Sequence, residues 1–181
     1  DGVDPAPFTT RILVRRPDAA QFNGHVVVEW FNVSSGADSA PEYTYVAQEL
    51  VRSGTAYVGI SAQYTGIAGG RDSVDLETTG AGTAGVQGDS LAAKDPQRYQ
   101  GLHHPGDGYS YDIFGSIAKA LRDSDSEAHP LAGLDVRRII AAGESQSAMA
   151  LTTYVNLIAT VHESIDAALI HSRPLGQLPL G

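Results

Sequence analysis

Near the end of the chain an apolar run, Ile139-Ile140-Ala141-Ala142, meets Gly143-Glu144-Ser145-Gln146-Ser147 and then a helix-like stretch over 148–157. A buried strand, a tight turn and a helix in direct succession leave little choice of geometry. The two backbones approach closely at the turn, so the flanking residues must be small, and Gly143, Ser147 and Ala148 meet that demand. Ser145 then stands clear of the sheet at the helix N-terminus, where its hydroxyl becomes a nucleophile once a base takes its proton. The motif departs from Gly-x-Ser-x-Gly in its last position, Ser147. A serine acting only as an N-cap is the plainer alternative. The setting between an apolar strand and a long helix favours the strained turn with a nucleophile at its tip.

The rest of the chain supplies companions for that unit. Gly24 introduces His25-Val26-Val27-Val28-Glu29-Trp30-Phe31, a near-continuous apolar run suited to a strand covered on both faces. Residues 8–14 mix β-branched and aromatic side chains and stop at Arg15-Arg16-Pro17, which predicts a strand. Pro41 opens a helical pattern in which Tyr45, Val46, Leu50 and Val51 share roughly one face, and Gly54 ends it. A third strand follows over 56–60. Ile113, Ile117, Ala120 and Leu121 give helical spacing through Arg122. A strand over 137–142, a helix over 147–161 and a last strand over 165–170 complete the pattern. Residues 65–108 are rich in Gly, Asp, Thr and Ser, hold no sustained period and far exceed an ordinary connection. They read as a loop or lid over a site. The order β-β-α-β-(long loop)-α-β-α-β predicts one α/β domain over 1–181, a three-layer α/β/α sandwich on a mostly parallel sheet.

At 181 residues the chain is long enough for one well-filled core. A net charge of −9 argues against nucleic acid or an anionic membrane as the main partner and reads as solubility. No apolar run approaches the roughly 20 residues that span a bilayer. Cysteine is absent, which excludes disulfides, thiol nucleophiles and cysteine-held metals and selects no compartment.

A serine nucleophile needs an oxyanion hole. One donor is expected to be the backbone N–H of Gln146, directly after Ser145. The second is expected from the loop that follows Trp30-Phe31, either the Asn32 or the Val33 amide. Asn32-Val33-Ser34 also fits a glycosylation sequon, a reading its place beside the site disfavours.

Five stretches stand out: Glu29-Trp30-Phe31-Asn32-Val33, Asp95-Pro96-Gln97-Arg98-Tyr99, His104-Pro105-Gly106-Asp107 running into Tyr109-Ser110-Tyr111-Asp112-Ile113-Phe114, Gly143-Glu144-Ser145-Gln146-Ser147-Ala148, and His171-Ser172-Arg173. Together they resemble the first two-thirds of the α/β-hydrolase fold, in the bacterial branch known as alpha/beta hydrolase domain proteins. The resemblance implies an esterase-like serine hydrolase acting on a small-molecule ester through an acyl-enzyme on Ser145, with no metal or organic cofactor. It also places His104 near the substrate cleft.

In that fold the strand–turn–helix unit around the serine is the nucleophile elbow, and the acid and histidine follow the strand after the elbow helix. Here His162 and Glu163 fall near the end of that helix, away from the catalytic edge, where a cation suits the helix dipole. His171 ends the last strand on the edge where catalytic residues gather and is expected to line the site, too early for the usual base. The expected acid and histidine are therefore sought in a C-terminal portion outside this chain, with the fold incomplete at its C-terminus.

Other signals are weaker. Gly80-Ala81-Gly82-Thr83-Ala84-Gly85 fits the dinucleotide fingerprint but lacks a strand before it and a helix after it. His103-His104 are adjacent, whereas zinc ligands usually stand wider apart. A non-catalytic binding protein on the same fold, or less plausibly a dinucleotide-binding enzyme, are the competing functions.

Overall fold

A computed structural model describes residues 4–70, 88–122 and 127–180. Its strands are β1 (Ile12–Arg15), β2 (His25–Trp30), β3 (Ala56–Ile60), β4 (Arg138–Glu144) and β5 (Ala167–His171). Its helices are α1 (Pro41–Ser53), α2 (Tyr64–Ala68), α3 (Leu91–Lys94), α4 (Pro96–Tyr99), α5 (Ser110–Ala120), α6 (Gln146–Leu157) and α7 (Ala159–His162). The strands form one sheet in the order β1-β3-β2-β4-β5. β2 to β5 run parallel, and β1 pairs antiparallel with β3 at one edge.

Alternation along β2 divides the core. Val26, Val28 and Trp30 point to one face, where Val28 sits opposite Val58 and Ala141 in the ladder. That face packs against α5 and α6 through Phe114, Met149, Leu151 and Tyr154. Trp30 stacks on Phe114 with ring centroids 4.9 Å apart. Val27, Phe31 and Tyr57 occupy the opposite face beneath α1, against Tyr43, Val46 and Leu50. A strand with both faces covered needs apolar side chains at nearly every position, which is why β2 has no polar-apolar alternation. Full burial of side chains the size of Phe114 or Leu151 contributes about 1.5–3 kcal/mol each. The three-layer α/β sandwich of the sequence reading is thus the observed architecture.

α1 ends where Gly54 takes a left-handed conformation (φ 69°) and donates its N–H to carbonyls of the last turn. A Cβ there would lie 1.9 Å from Gln21 O, so both backbone angle and space demand glycine.

Some boundaries differ from the sequence pattern. The first strand begins only at Ile12, and Thr9 bridges His103 instead. The helix expected over 147–161 is two, α6 and α7, parted at Ile158 (φ −124°, ψ −37°). Within the 65–108 segment the described residues form α3, α4 and most of α2, and a 3₁₀ turn at Asp107–Tyr109. Units of three to five residues are too short to show a period. The glycine motif at 80–85 lies outside the described residues. Among the described residues no helix is long and apolar enough to cross a membrane.

Candidate active site

β4 runs out at Glu144, α6 begins at Gln146, and Ser145 forms the turn between them with φ 55° and ψ −112°. These angles lie outside the regions that L-residues occupy without strain. The surroundings hold the turn in place. Ser145 N–H donates to His171 O (3.0 Å) at the end of β5, and Met149 N–H donates to Ser145 O (3.2 Å). A Cβ on Gly143 would lie 2.9 Å from Ser147 O, which shows how closely strand and helix approach. Ser147, at the position where the motif favours glycine, is fully buried and turns its hydroxyl back. Its Oγ donates to Glu144 O and accepts from Glu144 N–H, both at 3.0 Å. Ser145 stands at the N-cap position of α6 yet makes no capping hydrogen bond with its side chain. A serine present only to cap the helix would make one.

The loop after β2 lies against the residues on either side of Ser145. Asn32 Nδ2 donates to Glu144 O (2.9 Å), while Asn32 Oδ1 accepts the Ser34 N–H (2.9 Å). Val33 N–H donates to Gln146 Oε1 (3.2 Å). The Asn32 amide pairs with Ser39 O across the loop (3.0 Å). At the far end of this loop, buried Asp38 forms an ion pair with Arg11 (2.9 Å) and accepts from Ser61, tying the loop to the residues just before β1 and just after β3. Burial pushes the Asp38 carboxyl up against the opposing pull of Ser61 and Arg11.

His171 meets the elbow through its backbone and α1 through its side chain. Its Nδ1–H donates to Glu42 Oε1 (2.9 Å), and Tyr45 meets its ring edge-on at 5.5 Å. Glu42 is almost fully buried whereas the His171 side chain is 42% exposed, so the imidazole is anchored from the protein side. Burial raises the neighbouring Glu144 carboxyl, with His171 opposing and Glu42 adding to the shift.

His104 occupies a different setting. Its Nδ1 accepts the Gly106 N–H (3.1 Å), which leaves Nε2 to carry the proton and donate to Ala62 O (2.9 Å). Both ring nitrogens bridge backbone segments, so the imidazole clamps the loop before α5 to the end of β3. His162 lies beside Asp112 (3.3 Å) and Tyr154 (3.2 Å), on the α5–α6 side of the sheet.

Two buried polar groups escaped the sequence reading. Glu29, fully buried in β2, accepts the N–H groups of Glu42 (2.9 Å) and Tyr43 (3.0 Å) and the Tyr57 hydroxyl (2.6 Å). Burial lifts its carboxyl above the ordinary range despite those three donors, and the Tyr57 phenol is raised by its own burial and by Glu29. Gln63, just past β3, links Trp30 and Gln146. A charged residue inside the apolar run His25–Trp30 was the available signal for Glu29. Gln63 carried none.

The arrangement presents an uncapped serine hydroxyl at a helix N-terminus, with the first amide of the helix and a polar loop beside it. A putative carboxylesterase from Lactobacillus plantarum WCFS1 is similar in structure (TM-score 0.45, 12% identity), covering 88% of this chain and 58% of its own. The carboxylesterase Cest-2923 of the same organism gives 0.45 at 15% identity, with 87% and 50% covered. Acetyl xylan esterase 1 from Thermoanaerobacterium sp. JW/SL YS485 gives 0.42 at 13%, with 92% and 44% covered. The chain therefore spans about half the length of the solved structures it matches. No curated protein gives a significant match. A family model described as alpha/beta hydrolase domain matches residues 2–181, nearly the whole sequence, and the chain belongs to that family.

Proposed function

We propose that the chain carries the nucleophile side of a serine-dependent carboxylic ester hydrolase, with Ser145 as the attacking residue. The carrying observation is the strained Ser145 backbone at the start of α6 with no capping bond from its hydroxyl. Ser145 Oγ attacks the acyl carbon and its proton passes to a base, so that a tetrahedral oxyanion forms. The Val33 N–H is held by Gln146 Oε1, so the charge falls to the Gln146 N–H and to the Asn32 amide, which gives up Ser39 O as the oxyanion forms, each such donor being worth about 10²–10³ in rate. Collapse expels the alcohol, which takes the proton, and water then cleaves the acyl-enzyme by the same steps. The base and its acid partner are assigned to a segment outside residues 1–181, and His171, held by Glu42, to the wall of the site. No metal or organic cofactor enters this scheme.

A fluorophosphonate probe tests the reading on the full-length protein. Labelling is expected in the parent and absent from a folded Ser145→Ala variant, with p-nitrophenyl ester turnover lost in parallel. A folded parent that resists the probe, or an Ser145→Ala variant labelled as fast as the parent, overturns it.

A further inference from the structure

We infer that the Gln146 side chain is a positioning group for the oxyanion loop, its polarity fixed from the core by Trp30 through Gln63. The inference rests on the hydrolase reading above. Trp30 is fully buried, and its indole Nε1–H can only donate, here to Gln63 Oε1 at 3.1 Å. That oxygen also faces the Gln146 carboxamide at 2.9 Å, so the group pointing at it must be the Nε2–H₂. The remaining atom, Gln146 Oε1, is then necessarily the acceptor turned to Val33 N–H. Each amide orientation follows from the one before, starting from an indole that cannot flip its role. Trp30, Gln63 and Gln146 are all nearly or fully buried, so water does not compete for these bonds.

The consequence falls on geometry at Ser145. The residue before the nucleophile holds the loop through Glu144 O and Asn32 Nδ2, and the residue after it holds the loop through Gln146 Oε1 and Val33 N–H. With the Val33 N–H held by Gln146 Oε1, the loop donor is the Asn32 amide, turned from Ser39 O, and the two clamps set its place relative to the Gln146 N–H, the other expected donor. A donor displaced by a fraction of an ångström from the developing oxyanion loses much of its effect. Gln146 therefore acts twice, by its backbone on the oxyanion and by its side chain on the loop. Substitution removes only the second role.

Gln146→Met keeps the backbone N–H and approximate volume but neither accepts from Val33 nor donates to Gln63. Gln146→Glu keeps an acceptor for Val33 yet sets a carboxylate against Gln63 Oε1. In the full-length protein both are expected to lower kcat and the fluorophosphonate labelling rate about 10–100-fold with KM little changed. The thermal midpoint reports folding separately. Combining Gln146→Met with Asn32→Ala is expected to cost less than the product of the single effects, since both release the same loop. Amide exchange at Val33 reads the geometry without activity and is expected to accelerate in Gln146→Met. Variants that fold and label within about two-fold of a labelled parent, or Val33 exchange that does not change, overturn this inference alone. A folded parent that never labels overturns the hydrolase reading and this inference with it.

Discussion

Ser145 holds φ 55° and ψ −112°, a backbone that L-residues adopt only under constraint. Such conformations cost about 1–3 kcal/mol and persist where surrounding contacts over-determine them. Ser145→Gly removes the Cβ penalty but loosens the unfolded chain, at a cost of about 0.4–1 kcal/mol. Relief exceeds that loss, so Ser145→Gly is expected to be about 1 kcal/mol more stable than Ser145→Ala, which keeps the strain. Urea unfolding of the two variants makes the comparison. A glycine variant less stable than the alanine one would show that the turn stores no strain. At this scale the sequence was informative because the constraint is local: the small residues flanking Ser145 follow from close approach of strand and helix, and the Gly143 contact with Ser147 bears this out. The buried amides of Gln63 and Gln146 were not legible. Glutamine carries no pattern that distinguishes a core hydrogen bond from a solvated surface.

Among the elements, α1 shows how a buried charge substitutes for a local signal. Its N-cap residue, Ala40, has no side chain to accept the first amides, and Pro41 removes one of them. Glu29 on β2 accepts the next two from below. Glu29→Gln retains one good acceptor, and Glu29→Ala leaves the Glu42 and Tyr43 N–H groups and the buried Tyr57 hydroxyl without their acceptor, at about 1–3 kcal/mol for each that water does not reach. The pH dependence has a definite sign. Burial raises the folded-state value, so the folded protein holds the Glu29 proton more tightly than the unfolded chain, whose carboxyl titrates near pH 4.3. The Glu29 contribution to stability is therefore fully present below that value and is lost as pH rises through the folded value. Parent-minus-Glu29→Gln stability should fall with rising pH across that window and then level off. A difference that grows with pH would mean the carboxyl is lowered instead. Strands and long helices could be read from the sequence because period and length report burial. The place of β1 beside β3 and its antiparallel sense could not, since both depend on contacts distant in the chain, nor could the α6–α7 break, which falls at Leu157-Ile158-Ala159 with no Gly or Pro to mark it.

Across the whole molecule the two sheet edges differ in protection. β1 ends in Arg15 and is followed by Arg16 and Pro17, charge and proline of the kind that discourage strand addition. β5 sits at the other end of the sheet with the sequence Ala-Ala-Leu-Ile-His, and among the described residues it pairs with β4 alone. Leu169 is 47% exposed and Ile170 37%. A backbone edge of this kind, lined by apolar side chains and lacking charge or a bulge, is a template for pairing with another strand. Opposing it is the net charge of −9, which repels copies of the chain until salt screens it. Residues 1–181 alone are therefore expected to associate more at higher protein concentration and more again as ionic strength rises from about 0.01 to 0.15 M, where the screening length shortens from roughly 30 to 8 Å. Ile170→Lys places a charge on the edge and should return the chain toward monomer under the same conditions. Sedimentation velocity reads both effects. A chain that stays monomeric throughout, or an Ile170→Lys variant that associates like the parent, would mean that β5 is not the adhesive edge.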